Sequence, residues 1–215
     1  MSRPDGYRTI EDETAFRALH GEASGGAVAK SIRHIDAHAR NFLARSPFVM
    51  VATFGTGGAD CSPRGDAPGF VRVVDDTSLL VPDRPGNRRA DTMSNILADP
   101  RVALLAMIPG MNETLRVNGR AWLVSDEDLL AESAVNGKAP SVGIWIDVEE
   151  VFFHCAKAFV RSRLWDASRH MERSEFPTFG NILLDQIQAA EHAADDPAVA
   201  TVDEHLEADI RDRLY

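Results

Sequence analysis

The sequence contains little cysteine and little lysine. Its 215 residues include two cysteines, Cys61 and Cys155, which lie far apart and match neither a zinc-site nor a thioredoxin spacing. We therefore expect two thiols in a reducing compartment. Lysine occurs at three positions, arginine supplies the other basic side chains, and the formal net charge is −10. Because nucleic acids and anionic membranes are bound through basic patches, this charge argues against both as partners.

Long apolar runs are absent as well. The longest, such as residues 102–109, fall far short of the ~20 residues that a membrane span requires, and the N-terminus has no basic stretch followed by an apolar one. We therefore expect a cytoplasmic protein. No metal site is predicted either, because His34 and His38 lie one helical turn apart but lack an acidic third ligand at a recognised spacing.

The hydrophobic period divides the chain into three parts, which we expect to form one structural domain. Residues 1–45 are predicted to be helices that pack on a barrel, and residues 166–215 a helical extension with an acidic end. Between them, residues 46–165 have the period of short antiparallel strands, with a helix inserted after the fourth. The predicted fold is mostly β with flanking helices, an α+β class built on a six-stranded antiparallel barrel.

The stretch from Ser78 to Arg89 has the features of a phosphate site. An apolar strand ends at Pro82, a turn follows, and a helix is predicted from about Arg88 to Ala98. Unpaired N–H groups at a helix start bind phosphate, and Arg84, Arg88 and Arg89 add charge. Because neither a Walker motif nor a GxGxxG is present, FMN becomes a candidate ligand. The arginines alone are equally consistent with a solvated helix face.

A later strand, residues 114–124, alternates between two kinds of side chain. One face carries Leu115, Val117, Ala121 and Leu123, and the other carries Arg116, Asn118, Arg120 and Trp122. The second face is unusually polar and aromatic for a strand. It suits either a ligand cleft or a hydrated subunit interface.

Several short motifs follow one another in a fixed order, and together they resemble a known family. They are Ser46-Pro47-Phe48, Val51-Ala52-Thr53, Cys61-Ser62-Pro63-Arg64-Gly65-Asp66, Val81-Pro82-Asp83-Arg84-Pro85-Gly86-Asn87-Arg88, Asp99-Pro100-Arg101-Val102, Leu115-Arg116-Val117-Asn118-Gly119-Arg120-Ala121 and Arg161-Ser162-Arg163-Leu164-Trp165. This series resembles the pyridoxamine 5′-phosphate oxidase family in the broad sense, the flavin-binding split barrels, and the resemblance covers roughly residues 28–165. The last motif resembles a poorly characterised bacterial branch of that family.

The resemblance implies a homodimer of split barrels that binds two FMN molecules in clefts shared between the subunits. Arg116 and Asn118 are expected to reach the cofactor from a later strand, and Trp165 is expected to come from the other subunit. The FMN phosphate and ribityl chain are expected to contact Ser62, Arg64, Val81, Pro82, Asp83, Arg84, Asn87 and Arg88. The flavin would carry the hydride or electron transfer to or from a small-molecule substrate or electron donor.

The chain departs from true pyridoxamine phosphate oxidases in lacking their C-terminal signature, in which a tryptophan precedes an Arg-Leu-His type run. Pyridoxal phosphate synthesis is therefore not expected. Two function classes remain open: an FMN-dependent oxidoreductase, and a non-catalytic flavin- or haem-binding protein that serves storage or sensing. A deazaflavin cofactor ranks below FMN, because the cluster at the predicted helix start is compact.

No catalytic residue is assigned from the sequence. His154 is a candidate proton donor, although a structural histidine is the more common outcome. Asp66 and Asp83 flank the suspected cleft and are candidates for an acid and base pair, but Asp83 also suits an ordinary turn. Cys155 is expected to be a small buried side chain.

Overall fold

A computed structural model of the protein describes residues 6–215. Its seven strands are β1 (Phe48–Gly55), β2 (Gly58–Gly65), β3 (Arg72–Val73), β4 (Ser78–Pro82), β5 (Arg101–Met107), β6 (Thr114–Val124) and β7 (Gly143–His154). They form one antiparallel sheet in the order β2-β1-β5-β6-β7-β4-β3. The prediction of a mostly β fold with flanking helices is confirmed. The predicted count of six was wrong, because the two-residue strand β3 extends one edge, and the sheet is open at both edges.

The described part of the chain contains eight α-helices outside the sheet. They are α1 (Glu13–His20), α2 (Gly25–Ala29), α3 (Ala37–Leu43), α4 (Asp91–Ala98), α5 (Glu127–Ala131), α6 (Lys157–Ser162), α7 (Phe179–Gln188) and α8 (Pro197–Arg213). Two single-turn 3₁₀ helices, Ala167–Arg169 and Arg173–Glu175, precede α7. The helices predicted within residues 1–45 are α1 to α3, apart from residues 1–5, which lie outside the described residues. Those predicted within residues 166–215 include α7 and α8.

The core lies on one face of the sheet, under α3 and α4. Strand alternation buries Val49 and Val51 of β1, and the facing residues of β5 and β6 are equally inaccessible. Phe42 of α3 and Ile96 of α4 pack on the same cluster. Each such side chain stabilises the fold by roughly 1.5–3 kcal/mol on burial, so the sheet and these two helices form one packed unit.

The strand register separates two faces of the sheet that matter for function. Arg64 pairs with Val49, whose side chain is fully buried, so Arg64 belongs to what we call the inner face. Arg116 pairs with Leu105, and Leu105 pairs with Met50, the neighbour of Val49 on β1. Because adjacent strand residues point to opposite sides, Arg116 lies on the other, outer face. A single subunit therefore presents these two arginines in opposite directions.

Candidate functional site

A cavity of about 360 Å³ lies where the ends of β2 and β4 meet the loop that leads to α4. Three arginines, Arg64, Arg84 and Arg88, line it together with one carboxylate, Asp83. Its volume is at the lower end of the range of roughly 300–1,000 Å³ found for small-molecule sites. The arrangement favours an anionic ligand.

The loop enters α4 through a backbone turn that the sequence did not reveal. The helix begins at Asp91, so the predicted start near Arg88 was wrong. Arg88 and Ala90 have φ angles of 59° and 55°, in the left-handed region, which interrupts the helical path before Asp91. Ala90 caps the helix without a side-chain hydrogen bond from the described residues. The first N–H groups of α4 therefore lack a side-chain cap, and such groups favour anions.

Arg64 reaches the cavity from β2 with part of its donor capacity unused. One terminal nitrogen donates to the carbonyl oxygen of Pro63 at 2.9 Å. Its Nε is buried and has no hydrogen-bond partner among residues 6–215. Leaving a buried donor unsatisfied costs free energy, so an oxygen-bearing ligand in the cavity would stabilise this side chain.

Arg84 is held much more firmly than Arg64. Its Nε donates to Asp66 at 2.6 Å, and its Nη2 donates to the carbonyl oxygen of Ser133 at 2.9 Å. Burial by itself would raise the pKa of Asp66, but hydrogen bonds from the Ala67 amide, Arg84 and Tyr215 lower it below the usual value. Asp66 is thus an ion-pair partner for Arg84 and is unsuited to accept a proton at neutral pH.

The pKa of Asp83 is shifted in the opposite direction from that of Asp66. Burial raises its pKa above the usual aspartate value, and the nearby charges of Arg64 and Arg84 only partly oppose this shift. Of the two aspartates predicted to act as an acid and base pair, Asp83 lines the 360 Å³ cavity. Asp66 lines a neighbouring cavity of about 190 Å³.

Only some of the other residues predicted to contact the phosphate line the cavity. Pro82 and Asn87 line it, and the Asn87 side-chain oxygen accepts from the backbone N–H of Arg89 at 3.0 Å. Ser62 lies two residues from Arg64 on the same face of β2, and the side chain of Val81 is in the core. Arg89 does not line the cavity; it is exposed and forms an ion pair with Asp91 at 2.8 Å.

Arg116 and Asn118 lie on the outer face, away from this cavity. The Arg116 guanidinium carbon is 4.4 Å from the centre of the Phe152 ring, and the Arg116 Nε is buried without a partner in the described region. The Asn118 amide donates to Glu150 at 2.6 Å, and the Ser31 hydroxyl donates to the other oxygen of Glu150 at 2.6 Å. The outer face therefore holds a second polar cluster with one unsatisfied guanidinium nitrogen.

Trp165 and His154 also lie outside the cavity of their own chain. The Trp165 indole nitrogen donates to the carbonyl oxygen of Met111 at 2.8 Å, beside the turn between β5 and β6. Burial lowers the pKa of His154, and the charges of Arg116 and Lys30 lower it further, which favours the neutral imidazole. His154 is thus on the side of the outer-face cluster, on β7, and three strands separate it from Arg64 on β2.

The expectation that Cys155 is buried was wrong. Cys155 is exposed rather than buried, because β7 ends at His154 and the next residue leaves the sheet. Within residues 6–215 no cluster of histidine, cysteine or carboxylate side chains has the geometry of a metal site. The same residues include no helix that combines the length and the apolar character needed to cross a bilayer.

Comparison with known protein families agrees with the order of the sequence motifs. The matched region also includes the cavity at the ends of β2 and β4. The family model described as pyridoxamine 5′-phosphate oxidase matches residues 35–155, more than half of the chain. The chain belongs to the pyridoxamine 5′-phosphate oxidase family. The matched region contains all seven strands and α4, and therefore the whole 360 Å³ cavity. It excludes Trp165 and the C-terminal helices.

Solved structures with similar folds are distant in sequence. HupZ of Group A Streptococcus is 18% identical with a TM-score of 0.47, and the match covers 55% of this chain and 93% of HupZ. A candidate pyridoxamine 5′-phosphate oxidase of Lactobacillus delbrueckii is 21% identical with a TM-score of 0.45, covering 56% of this chain and 95% of the other. An FAD-binding protein of Mesorhizobium loti is 20% identical with a TM-score of 0.40, covering 56% and 95%. No curated protein matches the chain.

Sequence reasoning missed one residue at this site. Tyr215 donates its hydroxyl to Asp66 at 2.9 Å and thereby joins the ion pair with Arg84. The two residues are separated by 149 positions in the sequence. No local pattern connects them, because the contact depends on where α8 returns to the sheet.

Proposed function

We propose that this protein is a homodimeric FMN-binding flavoprotein that transfers hydride or electrons between FMN and a small molecule. One observation carries the proposal: Arg64, whose buried Nε has no hydrogen-bond partner among the described residues, lines the same cavity as Arg84 and Arg88. Such a cavity fits a phosphate group. Membership of the pyridoxamine 5′-phosphate oxidase family makes the phosphate of a flavin the best-supported occupant.

The residues present fit the phosphate and ribityl part of FMN. Guanidinium groups bind phosphate oxygens through two parallel hydrogen bonds, and Arg64 and Arg88 are both available for this. The uncapped N–H groups of α4 provide further donors at the same end of the cavity. Bound flavin supplies the hydride or electron chemistry, whereas the chain supplies binding, orientation and charge. Asp83, with its raised pKa, holds a proton to higher pH than an exposed aspartate does.

A second subunit is proposed because of the two sheet faces. If Arg64 and Arg116 both contact one FMN, they must come from different chains, since the strand register points them in opposite directions. The outer face also has half-exposed apolar side chains, among them Met50, Leu105 and Met107, around Arg116. Such a mixed apolar and polar surface is typical of subunit interfaces.

The first test is an absorbance spectrum of the purified protein over roughly 300–600 nm, where flavins and haems absorb. We expect two flavin bands, and FMN after heat release and chromatography. A protein that is colourless and takes up no added FMN would overturn the proposal, and a haem band would favour the storage or sensing alternative. With FMN bound, oxidation of added NAD(P)H supports an enzyme; no flavin reduction by any donor supports a binding protein.

Arg88 and Arg89 offer a matched pair of variants for the site itself. Arg88→Ala removes a cavity guanidinium, so we expect the Kd for FMN to rise about 10- to 100-fold, as for the loss of a charge-assisted hydrogen bond of roughly 1.5–3 kcal/mol. Arg89→Ala removes an identical side chain that is paired with Asp91 outside the cavity, and little change is expected. Fluorescence titration of FMN measures both. An unchanged Kd for FMN in Arg88→Ala would remove Arg88 from the site.

A further inference from the structure

The chain that follows α8 returns to the edge of the candidate cofactor cavity. Tyr215 donates its hydroxyl to Asp66 at 2.9 Å, and its ring centre is 5.7 Å from the guanidinium carbon of Arg84. The Lys138 ammonium donates to a backbone oxygen of Tyr215 at 3.0 Å. Tyr215 is thus fixed at both its side chain and its backbone.

Asp66 links Tyr215 to Arg84 and is almost completely enclosed. Its side chain is 2% exposed, and the Arg84 side chain is 16% exposed. One carboxylate oxygen accepts from Arg84, and the other accepts from Tyr215 and from the Ala67 amide. With both oxygens occupied, the carboxylate has one orientation in which every bond is made. That orientation sets the position of the Arg84 guanidinium.

Arg84 stands at the junction of three cavities. It lines the 360 Å³ cavity with Arg64, the 190 Å³ cavity with Asp66, and a third cavity of about 280 Å³ with Lys138 and Tyr215. Tyr215 borders the third cavity and is absent from the lining of the first. Asp83 and Pro85 also line both the first and the third cavity, but Arg84 is the shared residue that bonds to Asp66 and lies beside the Tyr215 ring. Arg84 is therefore the direct route by which Tyr215 can act on a ligand in the first cavity.

We propose that Tyr215 is a positioning residue of the cofactor cavity, because its hydroxyl holds Asp66 and Asp66 holds Arg84 against the bound anion. This inference rests on the proposed FMN site. It gives the acidic helical region after residue 166 a part in that site: α8 carries Tyr215 to the sheet. A tyrosine hydroxyl suits the role, since a hydroxyl donor adds no charge that would cancel the Arg84 ion pair.

The test compares Tyr215→Phe with Tyr7→Phe, a substitution at the other tyrosine of the chain, which is 79% exposed. Tyr215→Phe keeps the ring beside Arg84 and removes only the hydroxyl. We expect the Kd for FMN to rise about threefold to tenfold, the range for the loss of one hydrogen bond, and Tyr7→Phe to leave it unchanged. In an Arg84→Lys background, Tyr215→Phe should add little. A full additive effect there would show that Tyr215 does not act through Arg84.

A second measurement examines the contact without any flavin. In the Tyr7→Phe variant, ultraviolet difference absorbance at alkaline pH reports Tyr215 alone. The hydrogen bond to Asp66 raises the pKa of Tyr215; Arg84 opposes this, and Lys138 and Asp83 are the other charged groups of the same cavity. Asp66→Asn should lower the Tyr215 pKa toward the ordinary tyrosine value of about 10.

The possible results distinguish the positioning role of Tyr215 from the flavoprotein proposal. If FMN binds the unmodified protein and Tyr215→Phe binds it equally well, the positioning role is overturned and the flavoprotein proposal stands. If FMN does not bind at all, the flavoprotein proposal falls, and the role of Tyr215 in a flavin site falls with it. If the pKa of Tyr215 has the ordinary value and does not change in Asp66→Asn, this result by itself would overturn the positioning role.

Discussion

The cavity arginines differ in how they are held, and the difference sets what each contributes. Arg84 is fixed by Asp66 and by the Ser133 carbonyl oxygen before any ligand arrives. Arg64 has a buried nitrogen without a partner in the described residues, and Arg88 is exposed on a left-handed turn. Arg84 therefore shapes the cavity, whereas Arg64 and Arg88 gain the most from a bound anion.

The raised pKa of Asp83 leads to a prediction about how stability depends on pH. Burial raises its folded-state pKa, so its favourable contribution to stability is complete below the unfolded pKa of about 3.8 and is lost as the pH rises through the folded value. At neutral pH the buried carboxylate therefore costs stability. We expect Asp83→Asn to increase the free energy of unfolding at pH 7, with a gain that disappears toward pH 3.8.

Urea denaturation across this pH range measures the effect. Asp128→Asn on the exposed side of α5 is the control, and its stability should stay within about 0.5 kcal/mol of the unmodified protein. A loss of stability for Asp83→Asn at pH 7 would mean that ion pairing with Arg64 and Arg84 outweighs the burial of the charge.

Among the elements, β6 and β7 form the longest strand pairing. This pairing contains a β-bulge that determines which residues of the two strands face each other on the outer face. The register shifts between Asn118 and Gly119. A Cβ at Gly119 would overlap the backbone oxygen of Asp147, so only glycine permits this close approach of the two strands. On the other side of the shift, Asn118 faces Glu150 and makes its hydrogen bond.

A glycine substitution tests this strand pair. Gly119→Ala forces the backbones apart, and we expect it to destabilise the protein by about 1–3 kcal/mol, the usual cost of overpacking. Gly57→Ala, in the turn between β1 and β2, is the control because its added Cβ meets no atom within 4 Å. Urea midpoints of the two variants give the comparison. A Gly119→Ala protein as stable as the control would show that the strands separate at no cost.

For the whole molecule, the opposite placement of Arg64 and Arg116 means that the proposed site, which contains both residues, needs two chains. The inner-face cavity contains Arg64, Arg84 and Arg88, and the outer-face cluster contains Arg116, whose Nε has no hydrogen-bond partner within residues 6–215. An assembly of twice the 23.5 kDa of one chain is therefore expected in solution. Light scattering measures this mass directly.

Subunit mixing tests the shared site. Arg64→Ala and Arg116→Ala homodimers should each bind FMN weakly. A heterodimer of the two, purified through different tags, has one site with both defects and one intact site. We expect it to bind FMN at half the stoichiometry of the unmodified dimer and with unchanged affinity. Two weakened sites in the heterodimer would mean that both arginines contact FMN from the same chain, and normal FMN binding by the Arg116→Ala homodimer would exclude Arg116 from the site.

The sequence predicted much of the fold and less of the site. Alternation identified β6 with its polar face of Arg116 and Asn118, and the motif order led to the family. The apolar strand, turn and clustered arginines of residues 78–89 identified the loop with Arg84 and Arg88. The start of α4 was misplaced, since left-handed φ angles at Arg88 and Ala90 have no signature in those residue types. Flavin binding, the dimer and the contacts of individual residues with FMN stay predictions.

By itself, the sequence determined which residues alternate, where strands and helices occur, and which arginines cluster in one loop, because these depend on local period and turn chemistry. The tertiary structure alone decided that Arg64 and Arg116 face opposite ways and that Tyr215 reaches Asp66. Both facts depend on hydrogen-bond register and on contacts between distant segments. A one-residue shift of register would reverse the faces while leaving the local pattern unchanged.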